Sequence, residues 1–369
     1  MRSKRNVTWL SFLLLCTIGI GIAGQQEQQP SPVLGKCLGI GLASPQSGML
    51  AANRDSIYVG STNGVLSSYE SRVLTPEWRL ELGGEFGSDI LVLEEGPVVV
   101  TNPIRSGGPA GEEATIRLIA GKTGVTSWSA KLPFSEKYYL GRSIGGIAVI
   151  SHDGLVTILD QSGRLVSRNG PYGTVTAKPV FRAGRIAFGT GEKQVIVVSG
   201  PSEGSVTRVA LGMIPRAVAF TKKEDLLVGG ERGNLEHIEL ESGGASWKFK
   251  TGAAVSSIAD TDAGILVTSL DNFVYLISDY NGNVIWKRRL PGRILDGGVN
   301  LAGYFVVLIN GENSGYALDL ANGKIADVFT SVDSDIISGS PVSVRVGAFA
   351  VTTTGTLEIY AIGGCGGKP

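Results

Sequence analysis

The sequence predicts an all-β fold, an eight-bladed propeller of four-stranded antiparallel blades closed by the N-terminal strand, with seven blades as the second possibility. Three observations point there. Turn glycines recur at Gly124, Gly163, Gly204, Gly243, Gly282 and Gly323, spaced 39, 41, 39, 39 and 41 residues apart, which marks a repeat array. Short runs of alternating apolar residues, broken by turn signals every 8–12 or so, fill each interval, while helical periodicity is absent. Glycine, 53 of 369 residues, is abundant without a Gly-X-Y period, as many tight turns require, and 43% hydrophobic residues are too many for disorder.

The chain begins with Arg2, Lys4 and Arg5, followed by an apolar run over residues 7–23 that ends in Gly21-Ile22-Ala23, small residues where a signal peptidase reads. Residues 1–23 are therefore expected to be a secretory signal or an uncleaved membrane anchor, since a run of 17 residues is about the shortest span of a bilayer. Cys16 follows Leu13-Leu14-Leu15 rather than a small residue, so lipid attachment is not expected. Residues 24–32, polar and ending in Pro30 and Pro32, read as a linker. Export would leave 30 basic against 33 acidic residues, without the basic excess of a nucleic-acid binder.

Residues 33–369 form one predicted domain. Its first unit has strands near 56–60, 65–69 and 78–82. The second has strands near 90–93, 98–101, 115–120 and 125–132, with a Gly- and Pro-rich insertion at 103–113 expected to be a dispensable exposed loop. Further units cover 140–169, 174–211, 214–251 and 293–330. The clearest copy, DNFVYLISDYNGNVIW at 271–286, sits in the sixth. The eighth unit shows only the strands 342–346, 348–353 and 356–361, and the apolar segment 33–42 is available to cover its open edge. Trp78, Trp128, Trp247 and Trp286 recur at one repeat position and are expected to pack between blades.

These units resemble the pyrroloquinoline-quinone (PQQ) repeat propellers, whose motif reads roughly D-G-x-L-Y-A-L-D-x-x-T-G-x-x-x-W. Asp271, Tyr275, Gly282 and Trp286 match without gaps; Tyr316-Ala317-Leu318-Asp319 with Gly323, and Gly233, Leu235, Gly243 and Trp247, are further copies. Asn272 replaces the family glycine, and Ser167, Arg208 and Asp327 stand where Trp is expected.

The resemblance implies two functions. One branch contains quinoprotein dehydrogenases, which hold PQQ against adjacent cysteines and Ca²⁺ on converging side chains. Here no cysteines are adjacent, Asp89 and Asp296 show no ligand cluster, and no Cys-x-x-Cys-His is present. His152 and His237 fall at different repeat positions and read as ordinary residues. The other branch is the exported, non-catalytic eight-bladed propeller of the outer-membrane β-barrel assembly machinery, similar in length. The expected function is thus a monomeric, non-catalytic scaffold for a protein or peptide partner, possessing neither cofactor nor metal, in the periplasm or outside the cell. Contact with a membrane is expected only through an uncleaved N-terminal segment. PQQ with Ca²⁺ belongs to the dehydrogenase alternative.

Two local expectations complete the reading. Aligning Leu50, Ile90, Ile144, Val180, Val218, Ile258, Val299 and Val342 as inner-strand anchors puts Gly48, Ser88, Arg142, Lys178, Arg216, Ser256, Gly297 and Ser340 around the axis. Arg142, Lys178 and Arg216 would then make a basic arc for an acidic ligand. Cys37 and Cys365, the only cysteines after export, are expected to form a disulfide where the ring closes, two free thiols being the alternative.

Overall fold

The computed structural model describes residues 33–43, 46–104, 113–182, 184–200, 205–294, 297–331 and 336–365. The expected signal, the linker and most of the insertion at 103–113 lie outside them. The described residues form eight antiparallel sheets and no helix. Seven are built from consecutive strands; blade 6, for example, runs Val255–Thr261, Gly264–Ser269, Phe273–Ile277 and Val284–Arg289. Blade 2 departs in detail. The single inner strand expected near 90–93 is two short pieces, Glu85–Phe86 and Leu91–Val92, both paired to Pro97–Asn102. Between them Ser88 turns inward and accepts the Val100 N–H at 2.9 Å.

The eighth blade comprises Ile337–Arg345, Ala348–Thr353, Thr356–Ile362 and, as its outer strand, Leu34–Gly41 from the other end of the chain. Leu34 pairs with Ile362 and Gly41 with Thr356. The ring is therefore closed by the chain's own beginning, which removes an exposed sheet edge. Cys37 and Cys365 are joined by a disulfide, with Cα atoms 5.1 Å apart and a sequence separation of 328. Beside it, Lys36 Nζ meets Glu358 Oε1 at 2.6 Å. Glu358 is 1% exposed and also accepts from the Tyr360 hydroxyl at 2.8 Å and from Ser331 at 3.3 Å.

The core is a set of wedges between neighbouring blades. Tyr58 packs on Val99 between blades 1 and 2, Val149 on Val98 between 2 and 3, Phe188 on Ile150 between 3 and 4, and Val218 on Val197 between 4 and 5. Val267 joins Leu235, Phe305 joins Leu276, and Phe349 joins Val306 across the next three interfaces. Ile57 and Leu357 close the circle between blades 1 and 8. Because second and third strands are covered on both faces, they read as continuous apolar runs, whereas outer strands alternate.

The tryptophans link blades in one repeated way. Their indole N–H groups donate to the following blade's turn: Trp78 to the Gly121 carbonyl at 2.6 Å, Trp128 to Gln161 at 2.9 Å, Trp247 to Asp279 at 3.0 Å, and Trp286 to Leu320 at 2.8 Å. Each ring lies flat on that turn's glycine. At Gly282 the backbone has φ +72°, and a Cβ there would sit 2.6 Å from the Trp247 ring. Positive φ favours glycine at Gly124, Gly163, Gly243, Gly282 and Gly323, and at all of these but Gly243 the overlying indole demands it as well. Two positions without tryptophan make other contacts. Arg208 lies 5.5 Å from the ring centre of Tyr172, which precedes Arg208's own blade, and Asp327 accepts the Leu34 N–H at 2.6 Å, tying blade 7 to the closing strand.

Candidate functional site

Innermost strands must face the axis, and residues from all eight blades line a funnel of about 880 Å³ there. Its chemistry comes from local irregularities in those strands. In blade 4 (inner strand Val175–Arg182) the pairing register slips between Val175 and Ala177 and again between Ala177 and Val180. Blade 5 (Pro215–Phe220) slips between Pro215 and Ala217, and blade 6 between Val255 and Ser257. The residues left unpaired include Thr176, Lys178, Arg216 and Ser256, and all of these line the funnel. A bulge adds one residue to a strand and re-aims its side chain, so three successive blades use the same device to put polar groups on the axis.

Lys178 reaches across to blade 2, where its Nζ donates to Asp89 Oδ2 at 2.6 Å. Both side chains keep more than half their surface in water, at 70% and 55%. Burial by itself would raise the Asp89 carboxyl, but Lys178, with a smaller contribution from Lys137, holds it below the ordinary carboxylate range. Lys137 precedes the inner strand of blade 3 (Tyr138–Ser143), with its Nζ 5.2 Å from the Tyr139 ring centre. Arg216 has no salt-bridge partner among the described residues. The far side of the wall, with Ser256, Gly297 and Ser340, is small and uncharged.

The expected basic arc is corrected at one member. Lys178 and Arg216 share the funnel, but Arg142 sits near the opposite end of its strand. It donates to the Val92 carbonyl at 3.1 Å and lines a separate cleft of about 180 Å³. The alignment failed because Ile144 is no core anchor: it is a turn residue, 53% exposed. The true equivalent is Leu140, which pairs with Val149 as Val218 pairs with Val228. Lys137, which the sequence reading passed over, supplies the third cation. Ser88 is likewise turned into its own blade, and the Gly48 position lies outside the described surface.

His237 is held between neighbours. Its Nδ1 pairs with Ser246 Oγ, its ring stacks on Trp247 at 5.5 Å, and its Nε2 is 3.8 Å from Asp225, beyond hydrogen-bond reach. His152 lies in a blade 3 turn, where its backbone N–H donates to Ser135 Oγ at 2.9 Å. Among the described residues, no three of His, Cys, Asp and Glu converge as a metal-ion site. Ca²⁺ takes about six to eight oxygen ligands, whereas the described funnel wall offers one carboxylate, Asp89, already engaged by Lys178. These residues do not fit a Ca²⁺–quinone centre; Asp296 is outside the described set.

A family model described as outer membrane protein assembly factor BamB, of the PQQ-like repeat class, matches residues 25–169 and 152–326. The chain belongs to this family. A curated relative, the outer membrane protein assembly factor BamB of Nitrosomonas eutropha (strain DSM 101675 / C91 / Nm57), is 26% identical over 126 residues. That match covers 34% of this chain and 31% of the relative, so only about a third of the relative's length is spanned. The crystal structure of BamB from Moraxella catarrhalis superposes with a TM-score of 0.67 at 17% identity, covering 90% of this chain and 98% of that one. The computationally designed Ika8 protein superposes with a TM-score of 0.71 at 14% identity, over 90% and 100% of the two chains. At such identities the two superpositions establish the propeller and nothing about activity.

Proposed function

We propose that this BamB-family propeller is an exported, non-catalytic scaffold that holds a protein partner during outer-membrane protein assembly in the cell envelope. The family match over residues 25–326 carries this reading, because it spans most of the repeats rather than one motif. One feature supports it. A closed ring with blades tied by tryptophan–glycine contacts is a rigid support, and rigidity lowers the entropy cost of presenting a binding surface. Away from the funnel, His237 is held by Ser246 and Glu358 by Lys36, so both serve the packing of their own blades.

The second reading, a quinone-dependent dehydrogenase, is favoured by the position of a polar funnel on the axis and disfavoured by its single carboxylate. Adding PQQ and Ca²⁺ with an artificial electron acceptor separates the two. The scaffold reading expects no turnover; turnover with a shifted quinone spectrum overturns it.

A further inference from the structure

We infer that the axial funnel is a carboxylate-binding site, built from Lys137, Lys178 and Arg216, in which Asp89 acts as a built-in competitor. The inference rests on the funnel's own geometry and does not depend on the envelope role.

Charge comes first. The described funnel wall carries three cations and one carboxylate, a net of +2, all supplied from blades 2 to 5, while Ser256, Gly297 and Ser340 face them. A concave wall of one sign focuses potential into the space it encloses, although this chain's acidic and basic residues balance at 33 each. The volume, about 880 Å³, is within the range of sites that enclose a small molecule or a short stretch of peptide.

Construction comes second. Lys178 and Arg216 reach the funnel from the bulged parts of their inner strands, and the blade 6 bulge places Ser256 there in turn. A run of equivalent bulges that each turn a polar residue toward one point is the arrangement expected of a site rather than of a solvated edge.

Occupancy comes third. Lys178 already grips a carboxylate, that of Asp89, at 2.6 Å across a sequence separation of 89. The geometry therefore accepts the ligand chemistry we assign. Arg216, free of salt bridges among the described residues, offers the planar fork that suits a carboxylate's two oxygens. An incoming carboxylate would engage Arg216 and compete with Asp89 for Lys178, with Lys137 adding to the positive potential of the wall. Two sources carry this chemistry: an acidic polypeptide segment, or a free polycarboxylate of low mass.

The test uses the full chain with two probes, a fluorescent peptide rich in Asp and Glu, with a Gln-substituted control, and citrate. Binding is read by fluorescence anisotropy and calorimetry at low and at physiological salt. At least one acidic probe should bind, weaken as salt rises and be ignored by the control. Lys178→Ser combined with Arg216→Ser should weaken binding at least about tenfold, the size expected for losing charge-assisted hydrogen bonds. Asp89→Asn, which releases Lys178, should instead tighten it several-fold; a gain of this kind cannot arise from misfolding. Peptide binding without citrate binding identifies the polypeptide source, and citrate binding the free one. Failure of both probes at low salt overturns the inference. So does unchanged affinity in the double variant, or an Asp89→Asn protein that binds no better than the parent.

Discussion

Replacing Gly282 and Gly243 by alanine, one at a time, tests whether the tryptophan–glycine contact holds the ring together. The two glycines occupy the same turn of consecutive blades, with φ of +72° and +68°. A left-handed backbone costs an alanine about 1–2 kcal/mol in either place, so strain cancels in the comparison. Surroundings do not cancel. A Cβ at 282 would meet the Trp247 ring at 2.6 Å, whereas a Cβ at 243 meets nothing within 4 Å, because Arg208 stands where the preceding blade would carry tryptophan. To relieve the overlap Trp247, 8% exposed, must slide off its turn and stretch its 3.0 Å hydrogen bond to the Asp279 carbonyl. Losing that bond costs about 1 kcal/mol and the overpacking about 1–3 kcal/mol more. Gly282→Ala should therefore destabilise by roughly 2–4 kcal/mol beyond Gly243→Ala. Equilibrium urea unfolding followed by tryptophan fluorescence gives both values. Equal losses in the two variants would refute the tryptophan–glycine contact as a stabilising link between neighbouring blades.

Three further predictions follow from the closing blade and from a buried tyrosine. Cys37→Ser, or reduction of the bond to Cys365, opens a loop of 328 residues, for which chain entropy sets a ceiling of about 6 kcal/mol; a measurable drop in the unfolding midpoint is expected, and none would contradict a ring closed by this bond. Lys36→Met leaves the buried Glu358 carboxylate without its cation and should cost about 2–3 kcal/mol, with Glu358→Gln added to the same variant recovering most of it. Tyr138 is 2% exposed, and burial pushes its hydroxyl up to about 12 from 10. The folded state thus retains this proton more tightly than the unfolded one, so the stabilisation is complete below pH 10 and disappears as pH rises toward 12. Tyr138→Phe should flatten the alkaline arm of a stability–pH curve, and an unchanged arm would show that Tyr138 does not produce it.

The ring was readable because its determinants are local and repeated. The Gly282 turn and Trp286 recur with a fixed offset, and the strands between them are apolar on both faces. Even the closing strand was visible, as an unassigned apolar segment beside a blade lacking one strand. Inner strands are a different case. They are broken by bulges and, in blade 2, split into two pieces, so one shifted residue reassigns every side chain between axis and core. Ile144 looks like an anchor and is a turn residue, which moved Arg142 to the wrong end of blade 3 and hid Lys137. The pairing of Lys178 with Asp89 spans two blade interfaces, and no spacing rule connects residues 89 apart. The stacking of His237 on Trp247 is not legible in the sequence for a related reason: the contact depends on register between paired strands, with His237 opposite Trp247, rather than on any motif.

The central proposal is that this propeller holds a protein partner in the envelope. Photo-crosslinking in the native host tests it directly, with a crosslinking residue placed on exposed faces such as Val346, 95% exposed, and the products identified by mass spectrometry. The account predicts position-dependent crosslinks to components that assemble outer-membrane β-barrels. Crosslinks absent from every face, in protein confirmed to be folded and exported, would contradict it.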